Sequence, residues 1–348
     1  MTEQGSTVSH LSVAVTTTAM TSSASRAMEF YFQIAVVMIG VVGAAANGLI
    51  LYALVASKEH KKHVLIANQN LLDLVTCLFL VVVYSLKLCN IYLAGSAGYW
   101  LCIIVLSEFP VLTTSVGSVV NLAVITVERY LKVVHPIWSQ TKQGKWMTYT
   151  YSAIALAWIF AIVYNLAVVL PTSAVIDGVC YGYIIWESET ARIIHFFAYF
   201  ISNYVAILIL FIFCYGRILL VIRRQARVMA DHGGQGPSAA THHIQTNVIK
   251  TMIIVSASYA ISWMPFNVIG LIFIFNPLTI LPDVSFYVSL LVSNLYVCTN
   301  PFIYATKFDP VKQVLLRMMP CKKAAEQASE NPTSTEPRMR TGRVEAIG

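Results

Sequence analysis

The chain has 348 residues, of which 57% are hydrophobic and only 11% charged, less than half the charged share of an ordinary soluble domain. This excludes a soluble globular protein, and the net charge of +7 is not gathered into one basic footprint of the kind nucleic acid requires. The basic residues recur in short segments between long apolar runs, the pattern that sets membrane topology.

Residues 1–29 are rich in Ser and Thr, lack the apolar core of a signal peptide and read as a disordered tail. The first span, 30–56, carries Gly40, Gly43 and Gly48, which permit close helix packing, and Asn47, which needs a hydrogen-bonding partner at that depth. A charged turn, 57–63, leads to the second span, 64–89, with Asp73 deep in an apolar context, where an idle carboxylate is expensive. An aromatic and Gly-rich loop, 90–101, precedes the third span, 102–134. That span ends in Glu128, Arg129 and Tyr130, and the chain leaves it through Pro136.

The fourth span, 146–170, contains Trp158, and the link 171–190 holds Cys180 with Tyr181, Tyr183 and Trp186. After the fifth span, 191–222, the link 223–245 includes the run HGGQGPS, which marks a flexible loop. The sixth span, 246–275, contains Trp263, Met264 and Pro265, the proline implying a kink. The seventh, 284–306, contains the run Asn300, Pro301, Phe302, Ile303, Tyr304. Over 309–319, Val311, Leu315, Leu316 and Met319 fall on one helical face, which suits a short helix lying on the membrane surface. Cys321, flanked by charge, is a palmitoylation candidate, and 321–348 read as a disordered tail. Of the seven cysteines, Cys77, Cys214 and Cys298 lie inside apolar runs and read as small buried hydrophobes.

Seven spans put the termini on opposite sides. Of the 23 Lys and Arg residues, only Arg26, Lys87 and Arg192 fall on the N-terminal side. The positive-inside rule therefore places the N-terminus outside and the C-terminal tail in the cytosol of a multi-pass membrane protein.

Taken in order, each in its own span, Asn47, Asp73, Glu128 with Arg129 and Tyr130, Trp158, Tyr215, Trp263 with Pro265, and Asn300 with Pro301 and Tyr304 resemble the rhodopsin-like class of G-protein-coupled receptors. The resemblance covers about residues 30–320. It implies an all-α membrane protein, a seven-helix bundle with a short amphipathic helix after the last span. It implies a receptor and not an enzyme, coupling an extracellular ligand to a heterotrimeric G protein, with arrestin and a receptor kinase as further partners. Arg129, held by Glu128 at rest, would turn toward the G protein as the sixth helix moves outward. Tyr215 and Tyr304 would swing in to meet it, and Trp263 above the Pro265 kink would be the toggle beneath the ligand. Pro136, Ile137, Arg224 and Lys250 would belong to the cytosolic contact surface. Asp73, Ser118 and Asn300 look like the family's sodium pocket, an oxygen set suited to a hard cation; no other cofactor is implied. Cys102 and Cys180 look like the family's outer disulfide, with Cys89 a rival partner on the same side.

The chain also departs from the family. Ile207 stands where a fifth-span proline is usual, Tyr259 where Phe is usual four residues before the toggle, and Tyr296 where a sodium-pocket Asn is common. Gln245 replaces the acid that sometimes restrains Arg129, so the resting lock depends on Glu128 and some activity without ligand is expected. Between Cys102 and Arg129 the chain is two residues longer than the family's usual spacing, which a bulge or kink near Pro110 can absorb. Val111 occupies the place of the aminergic Asp and Asn294 that of the opsin Lys, which argues against a monoamine and against retinal. The outward set that is left, Lys87, Glu108, Arg192, His195, Tyr199, Asn267 and Asn294 around Val111, suits a peptide or a small polar ligand. Two other readings are a receptor-like scaffold or scavenger without G-protein coupling and a transporter; the latter calls for an internal repeat or charge in several spans.

Overall fold

The computed structural model describes residues 4–183, 185–231, 237–275, 283–307 and 309–318. Eleven α-helices appear among them: α1 (Gln4–Ala56), α2 (Val64–Leu88), α3 (Gly95–Leu101), α4 (Phe109–Val134), α5 (Pro136–Thr141), α6 (Trp146–Thr172), α7 (Glu189–Phe200), α8 (Ala206–Asp231), α9 (Pro237–Phe275), α10 (Asp283–Lys307) and α11 (Asp309–Met318). One antiparallel hairpin, β1 (Ala174–Ile176) with β2 (Val179–Tyr181), lies between α6 and α7. Seven helical stretches are long and apolar enough to cross a membrane.

The boundaries differ from the expected ones in informative ways. α1 starts at Gln4, inside the stretch expected as a tail, because no proline and a single glycine stand between Gln4 and Ile39 to stop a helix. The third span starts at Gly95 and not Cys102: α3 and a π-turn (Cys102–Leu106) precede α4. Most of the link 223–245 is helical, α8 running to Asp231 and α9 starting at Pro237, and of the run HGGQGPS only 232–236 lie outside the described residues. Cys321 and the tail after it, and Met319, also lie outside them.

α4 is the central post, packed against α2, α6 and α8, while α1 leans on α2 and α10. Gly40 and Gly43 make that close approach possible. A Cβ on Gly43 would lie 2.5 Å from the Cys77 sulfur and 2.8 Å from that of Cys298, whereas Gly48 faces open space. Asn47 finds its partners in the carbonyls of Gly43 (3.0 Å) and Val297 (2.9 Å). Cys77, Cys214 and Cys298 are buried thiols, as expected of small hydrophobes. The apolar core, including Leu72, Leu80, Leu122, Ile125, Ile218 and Met252, surrounds an unusual share of buried amides and hydroxyls. Large apolar side chains such as Leu156, Ile212 and Ile261 point outward, as lipid-facing positions must. In α11, Val311 is buried and Lys312 and Arg317 are exposed, the two-faced pattern expected.

Candidate functional site

Three polar clusters run along the axis of α4. At the Arg129 end, the last turn of α4 carries Glu128, whose carboxylate is shared. Lys132 reaches Oε1 at 2.5 Å, the Trp146 indole donates to the same oxygen at 3.2 Å, and the Arg129 guanidinium lies 3.6 Å from Oε2. Arg129 also meets the His63 ring at 3.5 Å, and these side chains line a cavity of ≈ 40 Å³ with Lys62, Met147 and Thr150. The family's pair is present, but Lys132 competes for its carboxylate, and Lys132 also lies over the Trp146 ring. Tyr130 packs on Phe213 and approaches His135. Pro136 and Ile137 open α5 and are exposed, as are Arg224 and Lys250.

Tyr215 is not directed at Arg129: its hydroxyl bonds Thr126 (3.0 Å) and Ser256 (3.1 Å). Tyr304 is fully buried, and its hydroxyl has no hydrogen-bond partner among the described residues.

Midway along α4 lies a second cluster. Asp73 Oδ1 accepts from Ser118 (2.9 Å) and Gln69 (3.4 Å), and Oδ2 accepts from the Asn300 amide (2.7 Å). The three residues assigned from resemblance are therefore together. Gln69, which carries no family motif, stands among them. Its amide donates to Ser118 and its carbonyl accepts from Asn121 (2.8 Å). Asn121 accepts from Asn68 (2.9 Å), to which the Trp158 indole donates (3.4 Å). The network crosses α6, α2, α4 and α10. Its signal in the sequence was the spacing of polar residues inside apolar runs, 68, 69 and 73 in one and 118 and 121 in another, which puts each set on one helical face.

The third cluster is at the opposite end, where Cys102 and Cys180 form a disulfide and Cys89 is free. The disulfide seats the hairpin, whose two-residue turn, Asp177 and Gly178, has positive φ at both positions as a type I′ turn demands. The extra length between Cys102 and Arg129 is taken up as expected near Pro110: the π-turn is followed by Glu108 at φ 68°, and Pro110 restarts the helix. Ser107 accepts from the Phe109 N–H (3.2 Å), and Glu108 is tied to Lys87 and to the Tyr84 hydroxyl (3.0 Å). The proposed ligand residues do not form one group. Arg192 pairs with Glu189, and Val111 is buried. His195 lies in a ring cluster with Trp186, Tyr164 and Tyr199. Tyr199 and Asn267 line a cavity of ≈ 10 Å³ above Trp263, with Asn203, Tyr204 and Tyr259. Asn267 donates to the Trp263 carbonyl (2.8 Å), and Asn294 is half-buried on α10 outside this lining.

The pattern of the family described as 7 transmembrane receptor (rhodopsin family) matches residues 46–304. An allatostatin-A receptor of Bombyx mori is 24% identical over 85% of this chain and 80% of its own length. A melatonin receptor type 1A of Phodopus sungorus is 25% identical over 80% of this chain and 77% of its own. Squid rhodopsin has the same fold, with a TM-score of 0.67 at 16% identity over 90% of this chain and 93% of that one.

Proposed function

Because this chain belongs to the rhodopsin family of seven-transmembrane receptors, we propose that it carries a signal from a ligand at the disulfide end to a heterotrimeric G protein at the Arg129 end. The observation that carries this reading is Arg129 itself. It is a half-buried guanidinium at the mouth of the bundle, 3.6 Å from a carboxylate it must share with Lys132. A cation held so loosely in a low-dielectric setting is free to exchange its partner. The disulfide end faces outside and the C-terminal end faces the cytosol at the plasma membrane, an orientation the distribution of Lys and Arg supports. Arrestin and a receptor kinase would read the same cytosolic face.

Agonist favours the state with the sixth helix swung outward, and only its difference in affinity between the two states produces a signal. α9 can hinge at Pro265, beneath Trp263. The ligand is a peptide or a small polar molecule, in keeping with relatives named for allatostatin-A, neuropeptide Y and melatonin. The ion-paired Lys87 and Glu108 and the ring cluster around His195 border its entry.

With Glu128 divided between Lys132 and Arg129, the resting restraint is weak. Cells expressing the chain without ligand will signal above mock-transfected cells, and Arg129→Ala at matched surface expression will bring the signal down to the mock level. Undiminished output from Arg129→Ala would overturn the coupling and leave a scaffold or scavenger in its place.

A further inference from the structure

The resemblance gives Asp73, Ser118 and Asn300 to a sodium ion. A hard cation needs several oxygen lone pairs that converge on one point and are not already spent on hydrogen-bond donors. Around Asp73 most of those lone pairs are spent: three donors occupy the carboxylate's about four acceptor sites, although Asn300 Oδ1 and the Tyr296 hydroxyl have no hydrogen-bond partner among the described residues. Ser118 gives its proton to Asp73 Oδ1 at 2.9 Å and receives a Gln69 amide proton in turn. The same Oδ1 accepts Gln69 Nε2 at 3.4 Å, and Oδ2 accepts Asn300 Nδ2 at 2.7 Å. A carboxylate can only accept, so the amide groups turned toward it present nitrogen. Both Gln69 protons therefore point at two of the oxygens a cation would need, Asp73 Oδ1 and Ser118 Oγ.

Gln69 is also held so that it cannot turn away. It is fully buried, one helical turn before Asp73 on the same face of α2. Its carbonyl is taken by Asn121 Nδ2 at 2.8 Å, and Asn121 is fixed by the Leu65 carbonyl (3.1 Å) and by Asn68 (2.9 Å). Tyr296, where the family commonly has a sodium-pocket Asn, is buried beside Ser118 and Asn300.

We propose that Gln69 is a built-in substitute for the cation: its carboxamide N–H groups do the bridging between α2 and α4 that an ion would do, and the polar core does not respond to sodium. This inference goes beyond the coupling reading and stands independently of it, because it concerns the resting polar core and is read without any signalling partner.

The test compares the melting temperature of the purified full chain in sodium chloride and in N-methyl-D-glucamine chloride at equal ionic strength. For the unmodified chain the two melting curves should coincide. Gln69→Leu keeps the side-chain bulk and frees both oxygens, so it should melt about 3 °C or more higher in sodium. That gain should vanish when Asp73→Asn is added. A sodium-specific rise in the unmodified chain overturns the proposal, and so does a folded Gln69→Leu chain indifferent to sodium. Where Gln69→Leu fails to fold, sodium NMR linewidths of the unmodified chain and its Asp73→Asn variant decide. Equal linewidths support the substitution, and broadening that disappears with Asp73 refutes it.

Discussion

His63 ends the turn before α2, with Glu59 3.6 Å from one ring nitrogen and the Arg129 guanidinium 3.5 Å from the other. Burial, and next the Arg129 charge, lower its pKa from 6.5 to about 4, against the opposing pull of Glu59 and Glu128. The ring is therefore neutral in the folded protein and can accept from Arg129. Below pH 6.5 the unfolded chain binds a proton at His63 that the folded chain does not take up until about pH 4. Stability attributable to this group is thus present above pH 6.5 and falls as pH drops toward 4, by up to about 3 kcal/mol. Melting temperatures across that window should decline, and His63→Asn should flatten the decline; an unchanged slope would remove His63 as the cause. No sequence pattern pointed to His63, since a histidine in a charged turn is ordinarily solvated. Gln69 escaped notice for a related reason. Its spacing to Asp73 puts the two on one helical face, but its partners Ser118 and Asn121 lie 49 and 52 residues away and no local pattern points to them. Glu128, Arg129 and Asp73 were legible because charge inside an apolar run is costly and stands out.

Two departures from the family explain each other at the level of whole helices. Where a proline is usual in the fifth span the chain has Ile207, yet the backbone is distorted there all the same, as a π-turn (Ile201–Val205) between α7 and α8. A π-turn leaves carbonyls without their helical partners. The Tyr259 hydroxyl donates to the Asn203 carbonyl, and the Tyr204 hydroxyl donates back to the Ala260 carbonyl at 2.9 Å. Tyr in place of Phe at 259 thus secures a distortion that no proline makes. Tyr259→Phe strands a buried carbonyl and should destabilise the protein by about 1–3 kcal/mol, seen as a lower melting temperature with the helix content of the folded state unchanged. No loss of stability would show that the carbonyl finds another donor. The existence and order of the spans were legible because 18 or more apolar residues leave few alternatives. Their outer ends were not. The Gly and aromatic residues of 95–101 read as loop by propensity, yet form α3 under the packing of the hairpin and disulfide, a tertiary override of a weak local preference.

Across the whole molecule, the seven spans and the mostly apolar outer surface follow from composition, whereas the link between the two ends follows from α4 alone. The Arg129 cluster, the Asp73 network and the ion pair of Glu108 all touch this one post. The π-turn above it, where five residues do the work of four, and the left-handed Glu108 that follows together interrupt the helical ladder, so that the segment beyond is out of phase with the helix below. Deletion of Ile104 would take the surplus residue out of the π-turn, advancing the segment above by about 1.5 Å and turning it by about 100° around the axis. Cys102 would then face away from Cys180, leaving two thiols that label with maleimide without prior reduction beyond the free Cys89 of the unmodified chain, while the Arg129 end keeps its contacts. A disulfide that still forms in the deletion variant would mean that the hairpin follows the helix round. The surplus length at the π-turn and Glu108 therefore keeps the outer mouth of the bundle and its inner machinery on separate clocks.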